Sequence, residues 1–185
     1  MPNILLGVTG SVAAVLTPKL VDELKKFGDV KIIFTETAYK FVSGHYRYMT
    51  IDNEVYNDES EWREFQKIGD KIIHIELRKW ADVMVIAPCT MNTLAKIANG
   101  LCDNLLTNIV RAWDYDKPLI VAPACNTLMW DSPLTTHHMM FITALGIEIV
   151  YPVSKTLACG DTGVGAMSDI PKIVQKVKDE IGIST

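Results

Sequence analysis

The period of the apolar positions changes repeatedly along the chain, and each change marks an element. Residues 3–8 (NILLGV) form a short apolar run that stops at Gly7-Val8-Thr9-Gly10-Ser11. Over residues 12–27 the period becomes helical. Val12, Val15, Leu16, Leu20, Leu24 and Phe27 fall near one face, with Lys19, Asp22, Glu23, Lys25 and Lys26 mostly elsewhere. Pro18 kinks or delays this helix, because proline has no amide hydrogen to give and crowds the preceding turn. Gly28 ends it, residues 30–34 read as a second strand, and 35–42 as a short helical segment. Strand, helix, strand in that order predicts a parallel sheet with helices on both faces.

Residues 43–70 are polar, aromatic and poorly periodic, and read as an irregular excursion that includes a short hairpin at most. Beyond them, 74–80 is helical, and 82–87 is a nearly continuous apolar strand of the kind buried at the centre of a parallel sheet. Helices are predicted at 90–99 and 104–113, a buried strand at 119–122, a helix at 133–145 and a strand at 147–150. Residues 155–167 read as a Gly-containing loop, and 169–181 as a closing helix. The expectation is one doubly wound α/β domain over residues 1–185, three-layered αβα. In such a sheet ligands bind beyond the carboxyl ends of the strands. The loops there carry Thr9-Gly10-Ser11, Thr35-Glu36-Thr37, residues 88–93 and residues 123–130.

Composition narrows the partners. A net charge of −4 over 185 residues, with the basic residues scattered, argues against nucleic acid and anionic membranes. No apolar run approaches the roughly 20 residues needed to span a bilayer, and the start of the sequence lacks a basic n-region. Cys89, Cys102, Cys125 and Cys159 form no CxxC pair and no metal-ligand spacing with histidine. A cytoplasmic protein with free thiols and no metal is expected.

Small and hydroxylated residues where a strand turns into a helix suit a phosphate, and they suit a tight turn with an N-cap equally well. Two such loops, at 9–11 and 35–37, favour a mononucleotide over a dinucleotide, although the acid at Glu36 counts against a phosphate there. His74, flanked by Ile73 and Ile75, fits a packed core histidine. Asn126 offers a carboxylate donor or an ordinary helix cap. The stretch around Cys159, with Gly160, Gly163 and Gly165, has the makings of a mobile lid.

Taken together, five segments resemble the flavin-containing cysteine-decarboxylase family. They are GVTGS at 7–11, HIELRKWADVMVIAP at 74–88, residues 92–115, PACNTLMW at 123–130, and KTLACGDTGVGAM at 155–167. The resemblance covers most of the chain except 43–70. It implies a flavodoxin-like fold and a homotrimer with FMN at the subunit interface. It implies that Gly10, Ser11, Val12, Thr35, Glu36, Thr37, Thr90, Met91, Asn92, Thr93 and Ala124 line the flavin. It also implies His74 as active-site base, Asn126 as carboxylate binder, Met129 and Ala158 at the substrate, Lys155 at its polar end and Cys159 as proton donor.

The substrate implied is phosphopantothenoylcysteine, whose carboxylate has no electron sink until the neighbouring thiol is oxidised to a thioaldehyde. Loss of CO2 then leaves an ene-thiol, and its reduction with a proton from Cys159 gives 4′-phosphopantetheine. Relatives that stop at the ene-thiol lack such a cysteine. Three positions depart from the family pattern: Cys125 replaces a methionine, Cys89-Thr90-Met91 replaces a smaller turn, and Lys79 replaces an arginine. An electron-transfer flavoprotein would need neither Asn126 nor the 155–167 clamp, and related regulatory subunits commonly carry long acidic or low-complexity extensions, whereas this chain keeps His74, Asn126 and Cys159 together.

Overall fold

The computed structural model describes residues 1–42 and 54–183. Six parallel strands form the central sheet in the order β3-β2-β1-β4-β5-β6. They are β1 (Asn3–Val8), β2 (Asp29–Phe34), β3 (Glu54–Tyr56), β4 (Val83–Cys89), β5 (Leu119–Pro123) and β6 (Glu148–Ile149). A 3-10 turn at Val12–Leu16 leads into α1 (Thr17–Leu24), with Pro18 in the first turn of the α-helix, where its missing N–H costs nothing. The delay expected from Pro18 is therefore what occurs. The other helices among the described residues are α2 (Glu36–Val42), α3 (Asp58–Glu64), α4 (Ile73–Trp80), α5 (Met91–Ala98), α6 (Leu105–Arg111), α7 (Thr127–Trp130), α8 (Pro133–Ala144) and α9 (Ile170–Glu180).

Alternation along β1 divides the core into two layers. Ile4, Leu6 and Val8 pack with Leu20 and Leu24 of α1 and with Ile173 and Val177 of α9. Leu5 faces the other way, with Met84, Leu77 of α4, Leu94 of α5 and Ile109 of α6. Each such fully buried Leu or Ile contributes roughly 1.5–3 kcal/mol relative to exposure. Gly7 lets α6 approach closely, since a Cβ there would lie 2.5 Å from Leu106 Cδ1.

Two sequence expectations change. Within 54–70 the chain is not irregular throughout: Glu54–Tyr56 pairs parallel with β2, and α3 follows under an Asn57–Ser60 capping box. Residues 43–53 of the expected excursion lie outside the described residues. The 155–167 segment is an antiparallel hairpin, β7 (Val153–Thr156) with β8 (Thr162–Ala166), rather than a loop. Its polar, Gly-rich sequence hides the alternation because both faces are largely exposed.

Candidate active site

In the strand order 3-2-1-4-5-6 the direction of winding reverses between β1 and β4. A cleft of about 750 Å³ opens there, lined from four strand ends and the hairpin. Thr9 ties two of the loops together: its Oγ1 donates to Pro88 O (2.7 Å) and accepts from Thr90 N (2.9 Å). Ser11 caps the 3-10 turn by accepting from Ala13 N. Thr90 caps α5 by accepting from Thr93 N. Gly10 makes room beside Thr37, whose Oγ1 would lie 2.4 Å from a Cβ at position 10.

Gly10, Ser11, Val12, Thr37, Thr90, Met91, Asn92 and Ala124 all line this cleft, as do Asn126, Met129, Lys155, Ala158 and Cys159. Thr35 and Thr93 do not reach it and act from beneath. Thr35 Oγ1 is 3.3 Å from Thr37 Oγ1, and Thr93 accepts from Thr90 Oγ1 at 3.2 Å. Glu36 is exposed at the start of α2 and absent from the lining, although the adjacent Thr37 is part of it. Val15, Leu16 and Phe41 add apolar wall that the sequence reading did not assign. The helical spacing of Val15 and Leu16 signalled a core face, but the structure leaves all three residues more than a third exposed.

Hydroxyl and amide groups beside an apolar wall fit a phosphorylated, flat-ringed group such as FMN, and the volume is of the right order. A second groove, between Trp130 and Tyr151, is lined mostly by Thr, Met and Ala with Asp131 as its charged group. Its hydroxyls come from α8 and Tyr151, and it receives no loop from the carboxyl ends of β1, β2 or β4.

Asn126 fills both roles the sequence left open. Its Oδ1 accepts from Leu128 N at 2.8 Å, capping α7. That contact turns Nδ2 outward, where it donates to Asp161 Oδ2 (2.7 Å) and lies 3.3 Å from Cys159 Sγ. Cys159 in turn donates to the same Asp161 oxygen at 3.3 Å. These bonds, from Asn126 first and Cys159 second, hold the Asp161 carboxyl below the usual carboxylate range.

The tip of the hairpin is a turn in which Gly160 N bonds Leu157 O, with Gly160 at φ +92°, which L side chains avoid. The base of the hairpin is pinned by Cys125 N donating to Gly165 O at 2.9 Å. Lys155 is paired with Asp169 at 2.6 Å, an exposed contact of small energetic weight. Burial, with Asp131 nearby, pushes the Cys125 thiol up to about 11, and burial alone pushes Cys89 to about 12.

His74 is the exception. It sits in the first turn of α4, and the flanking Ile73 and Leu77 belong to the core layer containing Leu5 and Met84. The 3-10 turn and α2 bury Ala14 and Ala38 in the opposite layer. Within one chain, then, His74 does not line the cleft. Its Nδ1 is hydrogen-bonded to Oε1 of Glu61 on α3. Sequence reading passed over Glu61, since an acid in the polar run DESEWRE carries no periodic signal. Among the described residues no cluster of His, Cys, Asp or Glu is arranged to hold a metal ion, and no helix is long and apolar enough to cross a membrane.

A parallel doubly wound sheet with a hydroxyl-lined cleft at its switch point places the chain among the three-layer αβα, flavodoxin-like nucleotide-binding folds. Comparison of the sequence narrows this further: residues 1–182 match the family described as Flavoprotein, and the chain belongs to that family. It is 51% identical over 177 residues to phosphopantothenoylcysteine decarboxylase HAL3a of Glycine max, covering 96% of this chain and 83% of that protein. Among solved structures, it resembles a mutant PPC decarboxylase complexed with pantothenoylaminoethenethiol. The TM-score is 0.92 and the identity 47%, with 96% of each chain covered. The FMN binding protein AtHal3 superposes with a TM-score of 0.89 at 46% identity, covering 100% of this chain and 98% of that one.

Proposed function

We propose that this chain is an FMN-dependent decarboxylase that converts 4′-phosphopantothenoylcysteine to 4′-phosphopantetheine in coenzyme A biosynthesis. It acts as a cytoplasmic homotrimer of one FMN-binding domain spanning residues 1–185. The observation that carries this reading is the convergence of Asn126 and Cys159, a neutral amide donor and a thiol 3.3 Å apart at the mouth of one cleft. The relatives named as decarboxylases of this substrate support it.

Gly10, Ser11, Val12, Thr37, Thr90, Met91, Asn92 and Ala124 are the residues that would hold FMN, with Thr35 and Thr93 bracing them. When bound, FMN supplies the two-electron chemistry that gives the departing carboxylate an electron sink and later restores the saturated product. The chain's own residues do the rest. Asn126 Nδ2 orients the substrate carboxylate by a neutral hydrogen bond, which positions the charge without strongly stabilising it. Met129 and Ala158 exclude water around the reacting carbons. Lys155 exchanges its exposed contact with Asp169 for the substrate's phosphate. Cys159 carries, at Sγ, the proton needed by the ene-thiol after CO2 has left.

His74 takes the substrate proton from a neighbouring subunit. Its place across the sheet from α2 in the same chain supports this, and so does apolar surface at both ends. Val12, Val15 and Leu16 are 52%, 51% and 42% exposed at the cleft rim, and Ile72 and Phe65 are exposed near α4. In a trimer these two surfaces meet. Four free thiols suit a reducing compartment.

The test is an assay of the purified yellow protein with phosphopantothenoylcysteine, following CO2 and product mass together, with the solution mass measured alongside. CO2 release with 4′-phosphopantetheine from a three-chain particle is the expected result. A yellow protein that releases no CO2 sinks the decarboxylase reading, and full activity from a single-chain particle sinks the placement of His74.

A further inference from the structure

The helix α3 has no part in the cleft, yet it is tied down at two points. Asp58 Oδ1 accepts from Leu105 N at 2.7 Å, at the start of α6, and Glu61 Oε1 is hydrogen-bonded to Nδ1 of His74 on α4. Glu61 is buried, 7% exposed, in a segment where the neighbouring Trp62 is 70% exposed. An acid is rarely buried in this way without a partner that needs it. Its partner here is the ring nitrogen Nδ1, and an ionised carboxylate can only accept hydrogen bonds. The proton of a neutral imidazole therefore sits on Nδ1, and the lone pair is left on Nε2. The contact also fixes the ring's rotation, since the ring is hydrogen-bonded through one specific nitrogen.

We propose that Glu61 is the positioning residue of the reaction, holding His74 in the Nδ1–H tautomer with Nε2 aimed away from α3 as the proton acceptor. The proposal rests on the functional reading above, in which His74 is the base. A carboxylate set behind a histidine base does the same work in serine hydrolases, where removing its charge leaves the geometry nearly intact but favours the wrong tautomer. It also gives α3 a purpose. The helix shows no apolar periodicity, and its capping box and Asp58 contact hold it where Glu61 meets the ring.

The experiment is a long-range ring proton–nitrogen correlation spectrum of ¹⁵N-labelled, FMN-loaded protein at a pH where the ring is neutral. The His74 signals are assigned by their loss in His74→Gln. His74 is expected to show a protonated Nδ1 and a bare Nε2. Glu61→Gln is expected to shift His74 toward the Nε2–H form and to lower kcat for CO2 release at least about tenfold, with KM and FMN content held. Glu61→Asp recovers part of the loss.

A proton on Nε2 in the unmodified protein overturns the proposal without need of any variant. So does wild-type kcat in Glu61→Gln, or a fall in kcat with the tautomer unchanged. An unmodified protein that releases no CO2 would instead overturn the functional reading, and the nitrogen spectrum would still decide whether Glu61 sets the tautomer.

Discussion

Asp161 accepts a hydrogen bond from Asn126 across 35 residues of sequence, with Oδ2 2.7 Å from Nδ2. The substrate-free chain thus places one of its own carboxylates on the amide assigned to the substrate's carboxylate, and the thiol of Cys159 donates to the same oxygen. A substrate carboxylate bound at Asn126, as proposed above, would have to take the place of Asp161. Because these bonds hold the Asp161 carboxyl below its ordinary range, the contact is fully present above the usual carboxylate pKa. It is lost only as pH falls through the lowered value. The Asn126 side-chain amide signals of substrate-free protein are expected to titrate with a midpoint below about 3.9, and Asp161→Ala should abolish that titration. A midpoint at or above the ordinary value would mean that the tip does not rest on Asn126 in solution.

Cys159→Ser separates CO2 loss from completion of the product. The serine hydroxyl has a similar size but gives up its proton far less readily than a thiol. CO2 should still be released, because Asn126 and the cofactor residues are untouched. The product should then stop at the ene-thiol level, two hydrogens lighter than 4′-phosphopantetheine in the mass spectrum, at one equivalent per FMN unless dissolved oxygen reoxidises the reduced flavin. Normal 4′-phosphopantetheine from this variant would remove Cys159 from the proton-donor role.

Thr9 is buried, and its one hydroxyl joins the ends of β1 and β4. Thr9→Val keeps the shape but leaves the Thr90 amide without that acceptor, which costs about 1–3 kcal/mol. For a chain of this size that is a fall in Tm of roughly 2–12 °C. Since Thr90 lines the cleft, FMN retention on dilution should weaken in parallel. Unchanged melting and unchanged flavin content would show that the two loops hold their positions without Thr9.

Much of this fold was legible because parallel strands buried on both faces leave continuous apolar runs. The stretch VMVIA at 83–87 and LIVA at 119–122 can be little else. The hydroxyl-bearing turns after β1 and β4 were legible for a related reason: they interrupt those runs where a sheet of this kind binds ligands. What was not legible depends on pairing rather than pattern. Glu54–Tyr56 has three residues and no alternation, and becomes a strand only because β2 offers it a free edge. The hairpin at 153–166 is mostly exposed, so neither face is marked by hydrophobicity. The position of His74 across the sheet from α2 follows from which side of the sheet α4 covers, and no local spacing states that. Glu61 is a polar residue in a polar helix, and only tertiary contact distinguishes it from Glu59.

Cys125, which the sequence resemblance sets at a position expected to hold methionine, is a quiet thiol in the structure. Its thiol lines the cleft, so its reactivity would matter if it ionised. Burial, with the negative charge of Asp131 nearby, pushes it up to about 11. At pH 8 only about one molecule in a thousand then carries the thiolate, the form that reacts. Cys89, buried and raised to about 12, is quieter still, whereas Cys102 and Cys159 are exposed. Iodoacetamide at pH 8 is therefore expected to modify Cys102 and Cys159 first, as read by peptide mass. Labelling of Cys125 should rise about tenfold for each pH unit up to 10, because the thiolate fraction grows in that proportion below the pKa. Cys125→Met should leave kcat within about a factor of two, since methionine is a polarizable apolar filler of similar character. Labelling of Cys125 at pH 8 as fast as Cys102, or a large loss of kcat in Cys125→Met, would make it a working thiol of the site rather than part of its wall.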